Sequence, residues 1–489
     1  MAISKISRRR LLRSALAAPA VLVKWPALAQ QARAILNQTI QLPPPSQLPV
    51  ISEWPDPFYL NLNDYSGLKQ YPGQVRCTTK AQWTVRRSEL IGEYKYYENG
   101  HAPPPSAVNL VSTESDVAIG TMTQRTYRLS TGPGGQLPFS MNFYLPNNIT
   151  PRPFANGCPS NGPYPILITS EMSYAPLASN TSGAMASIGT DNAQILVNHG
   201  YILAEFGRDD FSLDFDDFPA GQAAQVANSR IFPLYPYDPN GVNGYDWAGK
   251  EAWAWGFARV IDFVSTLSFV DQSKIAIFGM SRSNQASGRL AWVDTRVAAV
   301  IVSGYPTTIR QYHQNANGWH NPTYDEQVSM QGSPGMMNAY AKNFMVANGS
   351  NPQKLPLDLH TFSALIAPKY QCHQVEVYAW DPTGIQQAIL ATREIYKALG
   401  LPISGLGNRL GVYFGTHIPS GGNAHNMGFP YWVAGIDYLD RVLFNHEIYT
   451  ALARRYSYST YDFETFPLMP DVSGSAIPLN RSWTAPTLS

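Results

Sequence analysis

Cysteine is scarce in this sequence and charge is thin. Three cysteines among 489 residues, Cys77, Cys158 and Cys372, permit at most one intramolecular disulfide, which excludes a fold stapled by bridges. No Cys/His cluster has zinc-ligand spacing and no glycine-rich phosphate loop follows a strand, so neither a metal nor any other cofactor is inferred. Charged residues make up 14% and the formal net charge is +1, which gives no field suited to nucleic acid or an anionic membrane. The apolar run from Ser14 to Val23 is too short for a permanent bilayer anchor. What the chain has instead is 44% hydrophobic residues, enough for a large core, with 39 prolines, 37 glycines, 28 tyrosines and 11 tryptophans. That is the make-up of a loop-rich globular protein, and its aromatic rings suit core packing and stacking on sugar faces alike.

The amino-terminal segment reads as an address. Ser7-Arg8-Arg9-Arg10-Leu11-Leu12-Arg13 has the form of a twin-arginine export signal, and Ala27-Leu28-Ala29 forms a small-residue cleavage site before Gln30. A bacterial periplasmic or secreted protein is expected, with no membrane anchor once residues 1–29 are removed. Residues 30–120 are expected to form an extended, proline-rich arm and a short helix packed on the core, the helix over Trp83 to Tyr97 from the spacing of Trp83, Leu90, Ile91 and Tyr94.

Strand and helix patterns then alternate. Strands are predicted at Gln124 to Leu129, Phe139 to Tyr144, Pro165 to Ile168, Tyr201 to Ala204, Val297 to Val302, Gln374 to Ala379 and Leu410 to Phe414. Helices are predicted at Ala193 to His199, Gly249 to Leu267, Ile385 to Leu399 and Tyr431 to Phe444. This order gives a mostly parallel central sheet with helices on both faces, in one domain over residues 121–450 followed by a tail over 451–489.

One junction carries chemistry. Lys274 to Phe278 reads as a buried strand and Asn284 to Trp292 as a helix, with Gly279-Met280-Ser281-Arg282-Ser283 between them. A nucleophile elbow has this form: the sharp turn lifts a serine hydroxyl to where a histidine can take its proton, and the crowded turn favours glycine two residues before the serine. The usual second glycine is Ser283 here. A serine after a strand can also serve only as a helix cap, so that reading stands beside the catalytic one. An elbow in this setting implies the three-layer α/β-hydrolase fold, in which the acid and then the base follow the nucleophile in chain order. Asp381, after the strand at Gln374, and His425, after the strand at Leu410, stand in those places, and both are expected to be catalytic with Ser281. Asp381 precedes a proline and could instead cap the next helix, and His417 competes with His425 for the base. Asp358 and His360, on the approach to a strand, are expected to be a structural pair. His313 and His320 flank Trp319 in a long aromatic, polar insertion and are expected at its rim.

Several collinear pieces of the chain resemble the glucuronoyl esterases, also known as 4-O-methyl-glucuronoyl methylesterases. They include Gln82 to Leu90, Tyr96 to Gly100, Glu251 to Asp262, Gly279 to Arg282, Leu355 to His360, Ala364 to Pro368 and Ala424 to Asn426. The resemblance implies a serine carboxylesterase acting on a small-molecule or plant-polysaccharide ester, with no cofactor, no nucleic-acid partner and a monomeric chain. It implies Ser281 as nucleophile, His425 as base and Arg282 as oxyanion stabiliser, with Gln285 and Trp319 as substrate-binding candidates. The chain also departs from the family. Where many members carry a glutamate acid, this chain has Ser303-Gly304-Tyr305, and the family's sugar-contacting lysine is Gln285. The cysteines that staple fungal members across the site are replaced by Met280 and Asn426. An acetyl or small-ester hydrolase, or a catalytically silent glycan-binding relative, are the competing expectations.

Overall fold

A computed structural model describes residues 42–43, 47–51, 53–60, 75–146, 154, 156–171, 190–213, 229–238, 244–247, 249–303, 354–376, 382–415, 429–446 and 481–489. Residues 1–29, expected to be an export signal, and all of residues 447–480 lie outside the described residues.

Among the described residues ten strands form one sheet. They are β1 (Asn109–Thr113), β2 (Val117–Ile119), β3 (Met122–Thr131), β4 (Leu137–Pro146), β5 (Tyr164–Glu171), β6 (Ile202–Gly207), β7 (Val270–Met280), β8 (Val297–Ser303), β9 (Tyr370–Glu376) and β10 (Leu410–Gly415). The order across the sheet is β1-β3-β4-β6-β5-β7-β8-β9-β10, with β2 paired to β3 off that path. Strands β1 to β4 and the β4–β6 pair are antiparallel, whereas every pairing from β6 to β10 is parallel. The sheet therefore begins at Asn109, ahead of the first predicted strand. Strands β1 and β2 escape the apolar-alternation rule because β1 is exposed along its whole length.

Two layers of helices cover the sheet. One face is packed by α1 (Lys80–Tyr94), α3 (Gly249–Val264), α4 (Arg282–Val293), α5 (Leu359–Ile366) and α6 (Pro382–Ala398), and the other by α2 (Thr190–Asn198) and α7 (Phe429–Phe444). The parallel strands, buried on both faces, read as unbroken apolar runs: Ile275 to Phe278 in β7 and Val300 to Val302 in β8 are all buried. Helix α1 opens on a capping box, in which Gln82 N donates to Thr79 Oγ1 at 3.1 Å and Thr79 N donates to Gln82 Oε1 at 3.2 Å.

Two predicted features move. Residues predicted as an approach to a strand form helix α5, because Asp358 caps it through a box with Thr361. Strand β9 begins four residues before the predicted Gln374, since Tyr370 to His373 combine ring and polar groups that bond within the core rather than alternate. His360 is packed in the core: its ring stacks between Trp54 at 5.4 Å and Trp483 at 5.7 Å, and Nε2 bonds Pro55 O at 2.9 Å. Trp483 Nε1 in turn donates to Trp54 O at 2.9 Å, so the arm and the carboxyl-terminal segment share one anchor. All three cysteines are buried free thiols, and burial pushes those of Cys77 and Cys158 up to about 12.

Helix α4, which follows Ser281, is held at its carboxyl end by Arg87 of α1 and by Lys369, just ahead of β9, whose amine burial lowers to about 7. Arg87 of α1 donates through Nη2 to Trp292 O at 2.5 Å and to Leu365 O, while Lys369 Nζ bonds Ala291 O and, at 2.6 Å, Asp294 O. These groups satisfy carbonyls that a helix end leaves open and sit at the negative end of its dipole. Trp292 packs against Phe362 of α5 and Tyr94 of α1, each at 4.8 Å, and a Cβ on Gly288 would lie 2.6 Å from Phe362 Cε1. Replacing Arg87 by Met should therefore lower unfolding free energy by about 1.5–3 kcal/mol, the range for hydrogen bonds to a charged donor. Urea denaturation checks this, and an unchanged midpoint would show that Lys369 alone holds the helix end.

Candidate active site

The turn between β7 and α4 is built by close approach. Strand β7 is paired on both sides, with β5 through Ile166–Thr169 and with β8 up to Met280 opposite Ser303, so its end cannot drift. At Gly279 a Cβ would lie 2.5 Å from Ser283 O and 2.6 Å from Asn284 Cα, which leaves glycine as the residue that lets the helix fold back onto the strand. The chain then turns through Ser281 at φ 54°, ψ −127°. Among the described residues only Asn445 is a second non-glycine residue with positive φ. Such a backbone costs about 1–3 kcal/mol and persists only where its surroundings hold it. Here Ser281 N donates to Ser303 O at 3.0 Å, Asn284 N donates to Ser281 O at 3.1 Å, and Asn284 Nδ2 donates to Ser303 O at 2.9 Å. The Ser281 side chain makes no capping bond to α4. The helix-cap reading of this serine is thereby excluded, and its hydroxyl is left at the tip of a turn on the carboxyl side of a parallel sheet.

Arg282 is the first residue of α4 and is half-buried, and its backbone N–H lies at the positive end of the helix beside Ser281. Gln285 stands one turn further on, buried, and its Oε1 has no hydrogen-bond partner among the described residues. A buried amide oxygen in that condition calls for a donor, and a sugar hydroxyl is one.

Ser283, in the place of the usual second glycine, has its own surroundings. Its Oγ accepts from Arg208 Nη1 at 2.7 Å and from Ser170 Oγ at 3.0 Å. Arg208 follows β6, and its guanidinium lies 4.3 Å from the ring centre of Trp253 on α3. Trp253 is fixed by its Nε1, which donates to Ser212 O at 2.6 Å. Three strand or helix ends thus meet at one hydroxyl. Two carboxyl groups, the buried Glu98 and the half-buried Glu251, face Arg289 of α4; burial raises both, and the Arg289 cation opposes that shift.

Ser281, Arg282 and Gln285 come together at the amino end of α4. Asp381, His425, His417 and Trp319 lie outside the described residues, as do His313 and His320. Strand β9 ends at Glu376 and α6 opens at Pro382, while β10 ends at Gly415 and α7 opens at Phe429. Ser170, Arg208 and Trp253 are the polar and aromatic neighbours that the sequence reading missed. The signal available for them was the hydroxyl at the second-glycine place, together with Gly207-Arg208-Asp209-Asp210 at a strand's carboxyl end. Among the described residues no three His, Cys, Asp or Glu side chains are grouped to hold a metal ion, and no helix is long and apolar enough to cross a membrane.

Known proteins are similar to this chain. A family model for glucuronyl esterase of fungi matches residues 166–400, from β5 through α6. The 4-O-methyl-glucuronoyl methylesterase 1 of Wolfiporia cocos is 24% identical over 348 residues, covering 66% of this chain and 69% of its own. The 4-O-methyl-glucuronoyl methylesterase of Schizophyllum commune is 23% identical, covering 72% of this chain and 75% of its own. In structure, a carbohydrate esterase family 15 glucuronoyl esterase from Caldicellulosiruptor kristjansonii superposes with a TM-score of 0.60 at 19% identity, covering 90% of this chain and 98% of that one. With the turn at Ser281, the parallel sheet and the two helical layers in place, these likenesses agree on one family: the chain resembles the glucuronoyl esterases, which are carboxylic ester hydrolases, and has their α/β-hydrolase fold.

Proposed function

We propose that the chain is an exported serine carboxylesterase that cleaves a carbohydrate-linked ester, with a glucuronate ester as its substrate class. The observation that carries this reading is the left-handed backbone of Ser281 with its side chain unused in capping. Ser281 Oγ attacks the ester carbonyl as His425 takes its proton. The oxyanion that forms is stabilised by the Arg282 backbone N–H and guanidinium, donors whose benefit appears only as charge develops. The alcohol leaves with the proton from His425, and water, activated by the same imidazole, releases the acid from the acyl-enzyme. Asp381 holds the imidazole in the tautomer this sequence needs. The curated relatives are named for 4-O-methyl-glucuronoyl esters, which supports the substrate class.

A second reading is favoured by Gln285. The family's lysine offers a sugar hydroxyl a charge-assisted bond, whereas the glutamine offers a neutral one, worth about 1 kcal/mol less. Simple acetyl or other small esters would then compete with glucuronates.

Replacing Ser281 by Ala is expected to lower turnover by on the order of a millionfold and to abolish labelling by a fluorophosphonate probe. Ser281→Gly should be equally inactive yet about 1 kcal/mol more stable, because glycine adopts the turn without strain. Labelling that survives either change would place the nucleophile elsewhere. For the acid, Asp381→Asn should cost up to about 10⁴-fold in kcat with folding intact. A wild-type rate in that variant removes Asp381 from the triad. For specificity, Gln285→Lys should raise kcat/KM on a glucuronate ester, relative to an aryl acetate, by about tenfold. Equal ratios in both proteins would detach Gln285 from the sugar.

A further inference from the structure

Asn284 is fully buried in the first turn of α4, yet only one half of its amide is used. Nδ2 donates to Ser303 O at 2.9 Å, while Oδ1 has no hydrogen-bond partner among the described residues. A carbonyl oxygen can only accept, so Ser303 O fixes which end of the amide faces it and leaves Oδ1 turned away. A buried, unpaired oxygen is costly, and a residue kept in spite of it is kept for what its donor holds. That donor holds the last carbonyl of β8, which also accepts from Ser281 N at 3.0 Å. Asn284 N in turn donates to Ser281 O at 3.1 Å. Asn284 therefore grips the Ser281 turn on both sides: its backbone bonds that residue's carbonyl, and its side chain bonds the acceptor of that residue's N–H. It has little room to shift itself, since a Cβ on Gly279 would lie 2.6 Å from its Cα and Ser287 Oγ donates to its carbonyl at 2.9 Å.

We propose that Asn284 is a positioning residue for ester hydrolysis: its side-chain amide, anchored on the end of β8, holds Ser281 in the left-handed backbone that aims the nucleophile. The inference rests on the serine-esterase reading of Ser281. The φ and ψ of Ser281 direct both its Oγ and the next peptide N–H, that of Arg282, so a turn that relaxes misplaces nucleophile and oxyanion donor together. Asn284 acts through that backbone and touches no substrate atom. A misplacement of about 1 Å costs on the order of a hundredfold in rate. Because attack and the oxyanion belong to the transition state, the loss falls on kcat and not on KM.

The test has two arms. In the first, urea midpoints are measured for wild type, Asn284→Ala, Ser281→Gly and the double variant. Asn284→Ala should lower the midpoint, and by less than half as much in the Ser281→Gly background, because glycine occupies the left-handed region unaided. Equal shifts in both backgrounds overturn the claim that the amide holds this turn. In the second arm, kcat and KM on an aryl acetate and the rate of fluorophosphonate labelling are compared between wild type and Asn284→Ala. A fall in kcat of tenfold or more is expected, with KM within twofold and labelling slowed by the same factor. Hydrolysis and labelling at the wild-type rate overturn the positioning role. Asn284→Leu, which keeps a branched side chain and loses the donor, takes the place of Asn284→Ala in both arms if that variant does not fold. A wild-type protein that neither hydrolyses the ester nor labels overturns the serine-esterase reading, while the midpoints still decide whether the amide holds the turn.

Discussion

A backbone in the left-handed region at Ser281 is possible only because helix α4 is held at both ends. At its amino end the turn is pinned to β8 through Ser303 O, which takes bonds from Ser281 N and Asn284 Nδ2, and Gly279 lets strand and helix approach to a distance no side chain would allow. At its carboxyl end Arg87 and Lys369 bind the last carbonyls. The helix is thus a rigid strut between an aromatic floor of Tyr94, Trp292 and Phe362 and the carboxyl ends of β7 and β8. An isolated turn would relax out of this geometry; one loaded from both sides does not.

The same strut explains how the site can depart from the family and keep its shape. The place where many relatives carry an acid begins at Ser303, whose carbonyl is already used to hold the elbow. An acid arriving instead from the loop after β9 would leave that bond undisturbed. Met280 and Ser283 alter side chains on either side of Ser281, yet the backbone bonds that define the turn involve neither. The buried Gln285 in turn retains hydrogen-bonding capacity where a lysine's charge is gone.

Much of this was legible in the sequence, for identifiable reasons. Strands β5, β7, β8 and β10 are parallel and covered on both faces, so they announce themselves as apolar runs, and Gly279-Met280-Ser281 sits at the end of one. The helix α5 was not legible, because its start depends on Asp358 and Thr361 bonding each other's backbone and its length is only eight residues. Exposed β1 carries no apolar alternation to read. The Ser170–Ser283–Arg208 meeting point joins residues 113 and 75 positions apart in the chain, and no local pattern encodes such a contact. The ion-like grip on α4 is the same in kind: Arg87 lies 205 positions from the carbonyl it binds.

The histidine stacked between two indoles has a consequence for synthesis. Trp54 finds Trp483 across 429 positions of chain, so the arm made near the start cannot finish packing until nearly the last residues have been translated. A chain stalled or clipped short of Trp483 would present one face of His360 and the flank of Trp54 to water, an apolar patch of the kind that chaperones and proteases recognise. Quality control could read that single exposed ring pair as the mark of an unfinished molecule.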